Sequence, residues 1–377
     1  MTRDSPLTVM TVVGTRPEII RLSPTIKRLD DVMNHVLVHT GQNYDYELNG
    51  VFFEDLSLRR PDRFLEADTT TLGSMLGTIL SRVEQVIAEV KPDAMLVLGD
   101  TNSCISAIMA KRMRIPVFHM EAGNRCFDEN VPEETNRRLV DHVSDYNLVY
   151  TEHARRNLLS EGIHPSRIAL TGSPMNEVLA QNSVAIAGSD AVQQQGLQNK
   201  KYFMVSLHRE ENVDNRERLS TILHALQRLS QEHSLPVLVS THPRTRARLE
   251  ALSDTDRFGV IFQKPFGFHD YISLQKHARL VLSDSGTISE EASLLGFPAV
   301  TIRDMIERPE ALDTGVITTS GTQVSDIVDS VDFALGIFEA DGAARVPVDY
   351  QIHDTSRRVV NFIRSMIPAH KLRTGIR

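Results

Sequence analysis

An apolar run ends at Ser283 and gives way to Asp284-Ser-Gly-Thr-Ile-Ser-Glu-Glu291, and after the next apolar segment the chain reads Glu307-Arg-Pro-Glu310. A strand that drops through a Ser-Gly turn into a helix leaves the helix's first backbone N–H groups for an anion, and the turn at Ser285 and Gly286 reads as a diphosphate site. Glu290 and Glu291 fall one turn into that helix, where a carboxylate could take the hydroxyls of a ribose carried by the diphosphate. The chemistry implied is that of a nucleotide-linked sugar.

Further polar clusters follow other apolar runs. Gly14-Thr-Arg-Pro-Glu18 follows the first, Gly99-Asp-Thr-Asn102 another, and His119-Met-Glu-Ala-Gly123 a third; Ser206-Leu-His-Arg-Glu-Glu-Asn212 and Ser240-Thr-His-Pro-Arg244 do the same in the second half. Strand ends of this kind are where an α/β sheet presents ligands. Each cluster also has a plainer use. Arg16 beside Glu18 could be a surface ion pair, and Asp100 could cap the helix starting near Asn102. Glu121 after an apolar strand would be costly if buried without a partner. Of Glu133 and Glu134, in Pro132-Glu-Glu-Thr-Asn-Arg137, one is expected only to complement a helix dipole. His208 followed by Arg209 suits a phosphate clamp or a general acid, whereas His119 and His242 fit a structural role equally well. Asp100, Glu121 and one of Glu133 or Glu134 together suit acid/base work at carbon or oxygen. Val13 is followed by no glycine-rich dinucleotide fingerprint and no Gly-Lys-Ser/Thr loop occurs, so neither a hydride cofactor nor a P-loop is expected.

The elements that must position these groups alternate throughout. Strands are expected at 7–13, 35–40, 94–98, 115–119, 146–150 and 167–170, with helical patterns such as 71–90 and 103–113 between them. After Thr171-Gly-Ser-Pro174 the pattern lapses into a polar stretch, 180–199, and strands resume at 202–207, 237–240, 260–262, 280–283 and 299–302. The fold class is therefore α/β: two doubly wound parallel-sheet domains, 1–180 and 181–377, with ligands in a cleft between them and a last helix, 355–366, that could cross back to the first domain. A length of 377 residues favours two cores. The net charge of −8 comes with no basic block, which argues against nucleic acid or an anionic membrane as partner, and no long apolar run or signal-like start appears, so the cytoplasm is expected. Two cysteines, Cys104 and Cys126, are too few for a disulfide framework and lack metal-ligand spacing, so both read as reduced thiols.

The clusters from Gly14-Thr-Arg-Pro-Glu18 to Glu307-Arg-Pro-Glu310, taken in order along nearly the whole chain, resemble the motif set of the non-hydrolysing UDP-N-acetylglucosamine 2-epimerases. The resemblance implies a GT-B fold of two Rossmann-like domains, a homodimer, and no NAD or metal. It implies inversion at C2 of a UDP-linked 2-acetamido sugar by anti elimination of UDP to a 2-acetamidoglycal and re-addition from the other face. Asp100, Glu121 and Glu133 or Glu134 match the family's acid/base carboxylates. Arg16 and His208 match residues that hold the diphosphate and steady the leaving UDP, Ser285 and Gly286 the phosphate-binding helix start, Glu291 the ribose contact and Arg308 another phosphate ligand. Arg209, His242 and Tyr271 are grouped with the substrate-binding positions.

Departures from the pattern bear on the sugar. Arg21 stands where many members have Lys, Phe266 where a Gln near the uracil is usual, and Gly41-Gln-Asn-Tyr-Asp-Tyr46 lacks the Gln-His and Met pattern linked to allosteric activation. With Lys264-Pro-Phe-Gly-Phe-His-Asp-Tyr271 and Glu307-Arg-Pro-Glu-Ala-Leu-Asp313, these features resemble a branch that makes modified sugars for surface polysaccharides such as capsule or O-antigen, and within it the enzyme forming UDP-N-acetyl-L-fucosamine from its L-talosamine isomer. UDP-2,3-diacetamido-glucuronate or UDP-GlcNAc as substrate, a GT-B glycosyltransferase and a UDP-sugar sensor are the competing expectations.

Overall fold

A computed structural model describes residues 7–42, 50–241, 243–250, 259–303 and 306–374. The chain divides into two compact units, Met1–Gln181 with Val348–Arg377, and Asn182–Pro347. In the first, strands β1 (Thr8–Val13), β2 (Asn34–His39), β3 (Arg63–Phe64), β4 (Ala94–Leu98), β5 (Val117–Met120), β6 (Tyr146–Val149) and β7 (Ile168–Leu170) form a sheet in the order β3-β2-β1-β4-β5-β6-β7. In the second, β8 (Phe203–Leu207), β9 (Val237–Thr241), β10 (Val260–Gln263), β11 (Leu280–Ser283), β12 (Ala299–Thr301) and β13 (Ile317–Thr319) are ordered β10-β9-β8-β11-β12-β13. The strand pairs in both sheets are parallel.

Both sheets wind outward from their first strand, so each has a switch point, between β1 and β4 in one and between β8 and β11 in the other. Chains leaving such neighbours diverge to opposite faces, and the crevice above them is where doubly wound sheets bind ligands. The central strands are apolar and buried along their whole length, β4 as Ala-Met-Leu-Val-Leu and β11 as Leu-Val-Leu-Ser, because helices cover both faces. Register then fixes what emerges side by side. Leu98 pairs with Met120, so Gly99-Asp100 and Glu121 leave the sheet together. Ser206 pairs with Ser283, which brings His208 beside Asp284.

The last helix, Thr355–Thr374, packs on Arg16–Val32 within the first unit. Its Phe362 meets the Phe118 and Tyr146 rings edge-on, and its first turn is fastened by Thr355 Oγ1 donating to the carbonyls of Thr171 and Ser173 and by Ser356 donating to Glu177. Among the described residues no helix is long and apolar enough to cross a membrane.

Candidate active site

At the switch point of the first unit, β1 ends in a turn closed by Glu18. Its Oε2 accepts from the N–H groups of Gly14 (2.9 Å) and Thr15 (2.7 Å) and from the Thr15 hydroxyl, and its Oε1 accepts from Ser103 beyond β4. Burial pushes the Glu18 carboxyl up to about 7 against the pull of those four donors. Glu18 is thus a buried capping group and forms no surface ion pair with Arg16, whose guanidinium lies over the Phe52 ring at 5.6 Å.

Asp100 and Glu121 are each met by an arginine. Arg137 donates to Asp100 Oδ2 from Nε (2.8 Å) and Nη2 (2.7 Å), and Arg21, itself 2% exposed, reaches Glu121 Oε2 at 2.9 Å while stacking its guanidinium over Tyr150 at 5.7 Å. Two donors on one oxygen hold the aspartate at a fixed angle, a geometry that lysine would not reproduce. The helix after Asp100 is capped without it: Thr101 occupies that position and the Asp100 side chain turns to Arg137. Glu121 sits at φ +64°, in the left-handed region that few non-glycine residues adopt, with Gly99 at +73° beside it. A side chain at Gly99 would approach the Glu121 carboxylate.

The helix Pro132–Val143 separates the adjacent glutamates. Glu134 is buried, and its Oε2 accepts from the Cys126 N–H (3.2 Å) and from Arg137 Nη1 (3.0 Å). Burial acts to raise its pKa, but the Cys126 and Arg137 donors outweigh it and hold the carboxyl below the usual range. Glu133 is half-buried and makes no ion pair among the described residues.

In the second unit, Asp284 is the organiser. It accepts from the backbone N–H groups of His208 and Arg209 (both 3.0 Å to Oδ2) and from Asn212 Nδ2 (3.1 Å), and the His208 ring lies 2.8 Å from Oδ1. Burial alone would raise this carboxyl, but the His208 charge and hydrogen bond, with the Arg209 and Asn212 donors, hold it at about 2. Around the Ser-Gly turn stands a set of arginine–carboxylate pairs. Arg308 Nη1 donates to the Gly286 carbonyl and to Glu290 Oε2, each at 2.6 Å, while Arg209 and Arg303 share Glu307 at 3.2 and 2.5 Å. A Cβ on Gly286 would fall 2.7 Å from Glu307 Oε1, so a side chain there would have to push that carboxylate away from Arg209 and Arg303. Ser285 is half-buried, its N–H donating to Ser283 Oγ and its hydroxyl 3.0 Å from that of Thr287.

Of the two glutamates proposed to meet a ribose, Glu290 is tied to Arg308 and Glu291 accepts from Gln275 at 2.7 Å, both buried. Phe266 and Tyr271 pack half-buried against the core of the second unit. His242 and residues 43–46 lie outside the described residues. Reasoning from sequence missed the partners: Arg137 as the holder of Asp100, and Arg303, which follows β12 at the same kind of strand end as the clusters that were recognised.

A family model described as UDP-N-acetylglucosamine 2-epimerase matches residues 27–364. The chain belongs to that family. A solved UDP-N-acetylglucosamine 2-epimerase from Rickettsia bellii is 42% identical, with 97% of this chain and 98% of that one covered at a TM-score of 0.89. The Methanocaldococcus jannaschii UDP-GlcNAc 2-epimerase, solved in complex with UDP-GlcNAc and UDP, is 34% identical over 95% of this chain and all of its own, with a TM-score of 0.88. A UDP-2,3-diacetamido-2,3-dideoxy-D-glucuronate 2-epimerase from Pseudomonas aeruginosa is 36% identical over 334 residues, 87% of this chain and 92% of the relative. With these neighbours the two parallel-sheet units are those of the GT-B fold, and the family is one of isomerases.

Proposed function

We propose that this epimerase-family chain inverts C2 of a UDP-linked 2-acetamido sugar without a metal or redox cofactor. The supporting observation is the pair of arginine-held carboxylates, Asp100 and Glu121, emerging from adjacent strands of one sheet. A carboxylate takes the C2 proton as the C1–O bond to UDP breaks and its electron pair leaves on the diphosphate. The resulting C1=C2 glycal then takes UDP back at C1 and a proton at the other face of C2. Two faces require two proton carriers, and Asp100 and Glu121 fill those places, with Glu133 rather than Glu134 as the third group: Glu134 already holds the Cys126 turn and Arg137.

Charge on the departing diphosphate is stabilised by Arg16, His208, Arg209 and Arg308 with the turn at Ser285 and Gly286, and Glu291 takes the ribose. Phe266, Tyr271 and His242 complete nucleotide recognition, and Arg21 acts through Glu121. The sugar we propose is UDP-2-acetamido-2,6-dideoxy-L-talose, converted to UDP-N-acetyl-L-fucosamine in the cytoplasm by a homodimer supplying surface polysaccharide; its support is the segment Glu307-Arg-Pro-Glu-Ala-Leu-Asp313. A second reading, UDP-GlcNAc or the diacetamido-glucuronate, is favoured by the names of the similar proteins.

The test is NMR in D2O with each of the three UDP-sugars. Deuterium at C2 with appearance of the epimer from one of them identifies reaction and sugar together. Binding of UDP with no C2 exchange from any of them would overturn the proposal in favour of a glycosyltransferase or a sensor.

A further inference from the structure

Behind Asp100 and Glu121 lies a charged group to which the reaction above gives no part. Asp141, 0% exposed, is on the helix Pro132–Val143. Its Oδ2 accepts from the Gly123 N–H at 3.1 Å and from Arg125 Nη1 at 2.8 Å, and its Oδ1 lies 2.8 Å from Nδ1 of His119. The other nitrogen of that ring lies 2.8 Å from the Gly99 carbonyl. One ring nitrogen faces the Asp141 carboxylate and the other the Gly99 carbonyl, so the ring bridges the two. Arg125 is held in turn by both oxygens of Glu161, at 2.8 and 2.7 Å.

Asp141 therefore grips, directly and through His119, the peptide before Asp100 and the N–H two residues after Glu121. The grip is applied where the backbone is least able to hold itself. Gly99, Glu121 and Gly123 have φ of +73°, +64° and +82°, in the left-handed region that is strained for the one non-glycine residue among them, Glu121. A side chain at Gly123 would strike the Ala154 carbonyl at 2.3 Å, so this turn cannot relax toward the helix beneath it. Asn157 adds a second tether by donating to the Gly123 carbonyl at 3.0 Å.

We propose that Asp141, acting with His119, is a positioning unit that holds the Gly99–Asp100 and Glu121–Gly123 turns in one fixed relation, so that the two carboxylates stand at the separation that proton transfer on two faces of C2 demands. The inference rests on the acid/base reading of Asp100 and Glu121. Misplacement of a reacting group by about 1 Å can cost about 10²-fold in rate.

The test is Asp141→Asn in the full-length protein assayed in D2O, read as the ratio of C2 deuterium in recovered substrate to that in the product epimer. This ratio does not depend on how much of the enzyme is folded. A positioning role predicts a kcat lowered by about 10²-fold, KM within a few fold of wild type, and a changed ratio, because the two faces lose alignment unequally. His119→Gln, which keeps one donor, should show the same changes more weakly and serves if Asp141→Asn does not fold. A wild-type ratio in whichever of these variants folds, whatever the total activity, overturns the proposal. Asp100→Asn and Glu121→Gln run in parallel separate the two failures: wild-type turnover in both removes the acid/base reading and this proposal with it, whereas loss in both with an unmoved Asp141→Asn ratio removes the proposal alone.

Discussion

The two units use the same pairing in opposite senses. In the first, arginines serve carboxylates: Arg137 and Arg21 hold Asp100 and Glu121, which keep the side-chain exposure that chemistry needs, 26% and 15%, while their arginines are almost wholly enclosed at 4% and 2%. In the second, carboxylates serve cations: Asp284, Glu290 and Glu307, at 0%, 0% and 6%, stand behind His208, Arg308 and Arg209, which are the more exposed partners. In both, the inner member is the more deeply buried and the outer member the more exposed. Buried ion pairs stabilise little against apolar replacements, and losing one partner strands the other, so such pairs are better understood as orienting devices than as sources of stability. The sign of the outer group separates a unit suited to moving protons from one suited to holding an anion.

The largest effect expected from breaking this contrast is at Asp100. Asp100→Asn keeps the hydrogen bond to Arg137 but removes the titrating oxygen, and turnover should fall by about two to four orders of magnitude while UDP binding, measured by calorimetry, stays near wild type. Wild-type turnover in that variant would remove Asp100 from the reaction. The adjacent glutamates sharpen the point: Glu133→Gln should lower turnover by about 10²-fold or more with an unchanged melting temperature, and Glu134→Gln should chiefly lower the melting temperature, since its anion satisfies Cys126 and Arg137. The reverse pattern would give Glu134 the catalytic place.

Glu18 stands outside the contrast, a buried carboxyl that accepts from four neutral donors. Its folded pKa, about 7, lies above the ordinary 4.5, so the folded state binds the proton more tightly than the unfolded one. The contribution to stability is full below pH 4.5 and falls as pH rises toward 7, by about 3 kcal/mol on the scale of 1.36 kcal/mol per unit. Glu18→Gln should flatten the decline in melting temperature between pH 5 and 8, and an unaltered slope would show that Glu18 is ionised without penalty.

Much of the framework could be read beforehand because the strands beneath the site are largely apolar runs, β4 stopping at Gly99 and β11 at Ser283. What escaped had no such signature. β3 is two exposed residues and β13 three at a sheet edge, and the short helices Ser183–Ala187 and Ala191–Gln194, within a stretch that reads as a polar lapse, are held by burying Ile186, Ala191 and Val192 and have no strong pattern of their own. The candidate carboxylates were recognisable from their place after strands. Their partners were not, because Arg21 and Glu121 lie far apart in sequence and meet only once β1, β4 and β5 stand side by side. Arg125 and Asp141 were hidden for the same reason: a buried ion pair leaves no periodicity behind.

The smallest effect expected, and the one that tests the second unit, is at Arg308. Arg308→Ala should weaken UDP binding by about tenfold, the worth of one charge-assisted hydrogen bond. That loss has two sources, since the substitution removes a cation and also leaves Glu290, 0% exposed, without the guanidinium 2.6 Å away. The double variant Arg308→Ala with Glu290→Gln separates them. If the weakened affinity persists once the stranded charge is gone, Arg308 acts on the phosphate; if affinity returns toward wild type, Arg308 serves to neutralise Glu290, and the outer-cation rule drawn from Asp284 and Glu307 does not extend to this pair.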